Sequence, residues 1–227
     1  MTSALDRSGY VLGSGMVSDN GRQFLLTIPK NASTFLAEWA QANHWRFAVL
    51  NQCQEVREII VVLRDPVSRW ISGISQYINS YLLSPCGPDS PVYPSEDIKY
   101  DQASSVQEFL NYYNIVVERL FFDVIDRFDD HVYAQSGFVK PLKLPNQVTA
   151  FLIDSNLESN IITHLNWNQP GDLDRHISHE HTNLRMLHDF FQARLQERPE
   201  LIARLCKHYA DDQLLIDQLV LTAKESQ

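Results

Sequence analysis

The sequence predicts an α/β fold, a parallel sheet flanked by helices with a helix-rich C-terminal half, in one domain spanning residues 1–227. Three observations carry this. Short apolar runs alternate with longer stretches of helical periodicity, the order that builds a parallel sheet with crossover helices. Two of these runs, Phe24–Ile28 and Glu58–Leu63, end in cationic and hydroxyl residues that lead straight into a helical pattern. From Thr182 onward the pattern is helical throughout. With 227 residues, 44% of them apolar, the chain has enough to bury one core.

The elements follow in order. Residues 1–20 are rich in Gly, Ser and Asp and read as an N-terminal arm. Phe24–Ile28 is a buried strand. A helix then begins near Ser33 and carries Phe35, Leu36, Trp39 and Ala40 on one face. Phe47–Leu50 is a second strand. Glu58–Leu63 is a third, since four of its six residues are Ile or Val. Asp65-Pro66 opens a helix, because Asp caps and Pro suits the first turn. Trp70, Ile71, Ile74, Tyr77, Ile78 and Tyr81 recur along it at helical spacing. Residues 83–103 contain Pro85, Gly87, Pro88, Pro91 and Pro94 and read as a mobile loop. Ser105 and Glu108 form a capping-box pattern before a helix with Val106, Phe109, Leu110, Tyr113, Val117, Leu120 and Phe121 on one face. Val148–Ile153 is a further strand. Ser155 and Glu158 form a second box, opening a helix to about Leu165. Residues 166–181 are a polar, His-rich loop. The C-terminal helical stretch breaks at Pro199 and at Asp211-Asp212.

A net charge of −9 argues against a general nucleic-acid binder. It leaves room for a local anion pocket, because a few cations at a helix N-terminus suffice. Cys53, Cys86 and Cys206 are an odd set without metal-ligand spacing, so reduced thiols and no metal site are expected. Met1–Gly9 has no apolar core of a signal peptide, and no run has the length of a membrane span. The expected location is cytoplasmic.

Pro29-Lys30-Asn31-Ala32-Ser33-Thr34 occupies the strand-to-helix turn where a P-loop would sit. The sequence is not the Walker pattern, but the physics is P-loop-like: backbone N–H groups of the turn face an anion, with hydroxyls and a lysine beside them. The plainer alternative makes Ser33 a helix cap and Lys30 a solvated charge. In Arg64-Asp65-Pro66-x-x-Arg69-x-x-Ser72, Arg64 closes a buried apolar run and needs a partner there. That partner is an anion, or Asp65 or another acid. Arg69 reads equally as a surface charge. Parallel strands end at one edge of the sheet, where open α/β sheets bind ligands. Lys30, Ser33, Thr34, Arg64 and Ser72 therefore gather around one anion site.

Together, Pro-Lys-x-x-Ser-Thr and Arg-Asp-Pro-x-x-Arg-x-x-Ser resemble the two signatures of the sulfotransferases that use 3′-phosphoadenosine 5′-phosphosulfate (PAPS). The resemblance implies that Lys30, Asn31, Ala32, Ser33 and Thr34 hold the 5′-phosphosulfate. It implies that Arg64 and Ser72 hold the 3′-phosphate. Later segments are closer to the carbohydrate sulfotransferase branch. The stretch from Asp130 and His131 to Gln135 resembles its Asp-x-His-Trp-x-Pro-Gln segment, with Val132 in place of Trp and Ala134 in place of Pro. His179-Glu180-His181-Thr182-Asn183 sits where the branch has a polar loop over the nucleotide, with His176 nearby. Leu205-x-x-x-Tyr209-x-x-Asp212 resembles its closing helix. The chain is expected to differ from that branch in lacking a membrane anchor and paired cysteines and in having a short acceptor half.

The implied reaction is transfer of the sulfuryl group from PAPS to a hydroxyl or amine of a glycan or other small metabolite, leaving adenosine 3′,5′-bisphosphate (PAP). Lys30 would donate to the bridging oxygen as charge develops there. His131 is the first candidate for the general base and Glu55 the second. No metal is required. Two alternatives stay open: a nucleotide or metabolite kinase of P-loop-like fold, and a non-catalytic PAP-binding protein on the same scaffold.

Overall fold

The computed structural model describes residues 11–79, 131–142, 147–168 and 182–225, with Val106, Gln107, Leu110, Phe122 and Ile125 between them. The expected loop 83–103, most of the helix after it, Asp130, Cys86, His176, His179 and His181 fall outside the described residues. Among the described residues, five strands form one sheet: β1 (Ser14–Val17), β2 (Gln23–Leu26), β3 (Arg46–Val49), β4 (Glu58–Leu63) and β5 (Gln147–Leu152), in the order β3-β1-β2-β4-β5. The helices are α1 (Ser33–Ala42), α2 (Pro66–Tyr77), the short α3 (Ser136–Val139), α4 (Leu157–Leu165), α5 (Thr182–Glu197), α6 (Pro199–His208) and α7 (Ala210–Glu225). The class is α/β, and the helices concentrate in the C-terminal part.

The sheet is mixed rather than all parallel. β2, β4 and β5 run parallel, with Phe24 opposite Ile59 and Ile60 opposite Thr149. β1 is antiparallel to both β2 and β3. Residues 14–17, expected as part of an arm, are thus a buried strand. Gly15 explains the misreading. A Cβ there would collide with the Leu25 carbonyl and the Phe24 ring, so the glycine that suggests a loop is what admits the neighbouring strand. Because β1 opposes both its neighbours, β2, β3, β4 and β5 still point one way.

Alternation along the strands divides the core. Met16, Leu25, Ile60 and Val62 pack with Phe35, Leu36, Trp39 and Ala40 of α1 and with Leu157 and Ile161 of α4. Val17, Phe24, Leu26, Ile59, Val61 and Leu63 face the other way, toward Phe138 of α3 and Leu215 and Ile216 of α7. A third cluster joins Trp70, Ile71, Ile74 and Tyr77 of α2 to Leu187, Phe191 and Leu195 of α5 and Leu201 and Leu205 of α6.

Helix starts agree with expectation in part. Asp65 caps α2, its Oδ1 accepting from the Ser68 N–H at 2.8 Å, with Pro66 in the first turn. The box at Ser155 and Glu158 does not form: α4 begins after Asn156 without a side-chain cap, and Asp154 Oδ1 accepts from the Asn156 N–H instead. The last break falls at Tyr209, so Asp211 and Asp212 sit in the first turn of α7, where negative charge meets the positive end of the helix.

At the edge where β4 begins, Glu58 is almost enclosed. Its Oε1 accepts from Thr149 Oγ1 at 2.6 Å and lies 2.7 Å from His164 Nε2, and its Oε2 accepts from Gln23 Nε2 at 2.9 Å. Among the described residues, no helix is long and apolar enough to cross a membrane.

Candidate functional site

The turn from β2 to α1 is bent in a way its residues do not favour. Lys30 and Ala32 have φ of 66° and 56°, in the left-handed region, while Asn31 between them does not. Neither is glycine, so each costs on the order of 1–2 kcal/mol, and such strain persists only where surroundings over-determine it. Alternation of this kind turns successive N–H groups toward a common concavity. The helix that follows has no side-chain cap, so Ser33 is its first residue and not its cap. Its first amides look toward the same turn.

The surroundings that hold the turn come from the second motif and from residues 131–136. Asn31 is 1% exposed, and its Nδ2 donates to the Val62 carbonyl at 2.9 Å and to Gln135 Oε1 at 2.6 Å. Gln135 Oε1 also accepts from the Arg64 N–H at 2.9 Å, and its Nε2 donates to the Arg64 carbonyl at 2.8 Å. One amide side chain thereby fastens the ends of β2 and β4 to each other. Gln135 is itself fixed from the C-terminus: Asp212 accepts from the N–H groups of Gln135 and Ser136, both at 2.8 Å. The Tyr209 hydroxyl donates to the Val132 carbonyl.

Arg69 is no surface charge. It is 1% exposed, and its Nε and Nη2 donate to the Pro29 carbonyl at 3.2 and 2.9 Å. Its Nη1 donates to the Tyr133 carbonyl, and its guanidinium lies over the Phe138 ring. It bolts the Lys30 turn to residues 131–136. Arg64 is different. It is half-buried, and its Nη1 donates to the Lys30 carbonyl at 3.3 Å. Burial pushes its pKa below the ordinary value while neighbouring Asp65 raises it. An arginine stays charged under such a shift, so a cation is held beside the turn.

Lys30 Nζ donates to Gln76 Oε1 on α2 at 3.1 Å. Lys30, Ser72, Ser75 and Gln76 line a small cavity with Leu184, Arg185 and His188 of α5. The structure therefore brings Lys30, Asn31, Ala32, Ser33, Arg64 and Ser72 to one edge of the sheet, with Thr34 exposed beside them. The two proposed bases fare differently. His131 lies against α2, its carbonyl so close to Gly73 that a Cβ there would collide with it. Glu55 lies at the opposite edge: its Oε2 is the nearest atom to a Cβ placed on Gly21, in the turn between β1 and β2. The chain returns across the sheet after β3, which carries Glu55 away from Lys30.

A larger cavity of about 400 Å³ also lies at that opposite edge, among Asn20, Asn43, Asn166, Asn168, Trp45 and Trp167. Among the described residues its lining holds no Lys or Arg. Among the described residues no group of three or more His, Cys, Asp or Glu could hold a metal ion. Gln135 and Asp212 belong to segments the sequence had marked; their roles as bridge and anchor were not readable. Gln76, Arg185 and His188 were missed, because helical periodicity says which face is apolar but not which helix it meets.

No family model, curated protein or solved structure matches this chain.

Proposed function

We propose that the chain is a PAPS-dependent sulfotransferase of P-loop-like fold, acting on a hydroxyl or amine of a glycan or other small metabolite. One observation carries this reading. The lysine turn and the arginine–serine helix, each resembling a sulfotransferase signature, meet at one sheet edge: Arg64 donates to the Lys30 carbonyl, and Ser72 shares a cavity with Lys30. On this reading the turn amides, Ser33 and Thr34 take the 5′-phosphate. Arg64 and Ser72 take the 3′-phosphate, where a guanidinium gives a charge-assisted contact. Lys30 leaves Gln76 and donates to the bridging oxygen as the sulfur–oxygen bond breaks. That contact strengthens in the transition state, which is where binding energy accelerates a reaction.

The test is ligand-linked stabilisation. PAP binding at micromolar concentration should raise the melting temperature, and calorimetry should give one site. Stabilisation by ATP with Mg²⁺ and not by PAP would favour the kinase alternative. PAP binding without transfer to any fraction of a cell extract would leave a non-catalytic binding protein.

A further inference from the structure

We propose that the cavity at the sheet edge away from Lys30 binds a neutral carbohydrate, at a site independent of the sulfotransferase reading. Its volume of about 400 Å³ lies within the range of small-molecule sites, roughly 300–1,000 Å³. Two helices end at it: Asn43 caps the C-terminus of α1, and Asn166, left-handed at φ 52°, caps that of α4. The turn between β1 and β2 adds Asp19 and Asn20. Trp45 and Trp167, each 7% exposed, pack edge to face at 5.4 Å, so the apolar part of the lining is aromatic and fixed. Trp39 packs against Trp167 at 4.8 Å.

The polar part of the lining is rich in amides: Asn20, Gln23, Asn43, Asn166 and Asn168. An amide offers a donor and an acceptor side by side, and a sugar hydroxyl is both at once. The fold sets three of these amides in place. Gln23 Nε2 donates to the buried Glu58 carboxylate at 2.9 Å, which leaves Oε1 to accept from a ligand. Asn20 Oδ1 accepts from the Ser18 hydroxyl at 2.9 Å and the Arg22 N–H at 3.0 Å, which leaves Nδ2 to donate. Asn43 donates to the Trp39 carbonyl at 3.0 Å and accepts from the Asn168 N–H at 3.1 Å, tying the end of α1 to the chain beyond α4. Side chains held in advance keep the entropic cost of binding low. Charge and shape exclude other ligand classes. Among the described residues, no Lys or Arg in the lining meets a phosphate or carboxylate. Its titratable groups there are Asp19 and His44, both exposed, too few for a metal ion. The buried indoles leave no open ring face on which a flat nucleobase would stack.

Tryptophan fluorescence reads this site, because Trp39, Trp45 and Trp167 are three of the chain's four tryptophans. The full chain is titrated with maltotriose, cellotriose and chitotriose, with glucuronate, glucosamine and adenosine as the competing chemistries, and is applied to an array of neutral, sialylated and sulfated glycans. The expected result is a saturable fluorescence change with a neutral oligosaccharide and retention of neutral glycans on the array. Two substitutions locate the site. Asn166→Gly keeps the left-handed turn and removes the amide, and Asn168→Ala removes an exposed amide. Together they should weaken sugar binding by roughly tenfold or more, as hydrogen bonds are lost, and leave the melting temperature and PAP binding as in the wild type. Binding of no neutral glycan overturns the proposal, as does a stronger response to the charged sugars or adenosine. Unchanged sugar affinity in the double variant overturns it too, and loss in Lys30→Ala instead would move the sugar to the opposite edge. Sugar binding without PAP binding supports this site and removes only the sulfotransferase reading.

Discussion

The two motifs bring three cations to the candidate site, and the structure gives each a different place. Lys30 reaches across to Gln76 on a movable side chain, Arg64 stands half-buried behind the turn, and Arg69 is enclosed and committed to carbonyls. Their substitutions should separate accordingly. On the sulfotransferase reading proposed above, Lys30→Ala should lower turnover far more than PAP affinity, because its contact to the leaving oxygen would form fully only in the transition state. Arg64→Ala should mainly weaken PAP binding, by roughly tenfold or more, as a charge-assisted phosphate contact is lost. Single-turnover rates and calorimetry on the two variants check this; loss of affinity alone in both would remove Lys30 from the chemistry. Arg69→Met should instead cost about 2–4 kcal/mol of stability in urea unfolding, since the carbonyls of Pro29 and Tyr133 lose their donor. Arg69→Lys should recover only part of that, as one ammonium lacks the guanidinium fork. The spacing of Arg69 is the same whether it faces solvent or core, so the sequence could not decide; only the approach of residues 131–136 fixes its role.

At the scale of elements, the readable ones are those whose own residues do the packing. Phe35, Leu36, Trp39 and Ala40 were expected on one face of α1, and those four are buried. β4 carries five apolar residues after Glu58 and is buried at all six positions. β1 was not readable, because its pairing depends on the missing Cβ of Gly15 against β2, a contact with no local signature. The box at Ser155 failed for a related reason: Asp154, one residue earlier, competes for the same turn. Glu58 ties three elements together at the edge where β4 begins, and its chemistry predicts a pH dependence. The hydrogen bond with His164, aided by Thr149 and Gln23, holds its pKa at about 2 against an ordinary 4.5, although burial pushes it upward. The folded value lies below the unfolded one, so the stabilisation is complete above pH 4.5 and is lost as pH falls through the folded pKa near 2. The amount is on the order of 3 kcal/mol for a shift of this size. Urea unfolding between pH 6 and roughly pH 2 should show that acid-induced loss. In Glu58→Gln the loss should be smaller by a comparable amount, and an unchanged acid limb would assign it to other carboxylates.

Over the whole molecule, the candidate site is closed by distant parts of the chain rather than by the two motifs alone. The strand-to-helix motifs and their common edge were legible, because β2 and β4 are parallel neighbours and their ends must coincide. What was not legible is the buried polar link from α7 through residues 131–136 to the Lys30 turn. Each of its bonds spans between about seventy and a hundred positions, as from Asp212 to Gln135 and from Gln135 to Asn31, and no local pattern specifies such a pairing. The link makes a prediction that neither half of the chain makes by itself. Asp212→Ala removes the acceptor of two buried N–H groups and should cost about 2–4 kcal/mol. Asp212→Asn keeps one carbonyl oxygen and should cost about half as much. Because Gln135 then loses its anchor, the grip on Asn31 and Arg64 should loosen, and PAP affinity should fall several-fold although Asp212 sits on a different helix. Unfolding curves give the first quantity and calorimetry at a temperature where the variant is folded gives the second. A destabilised variant with wild-type PAP affinity would show that the Lys30 turn is held by Arg69 and its own backbone, and that Gln135 serves the fold without serving the site.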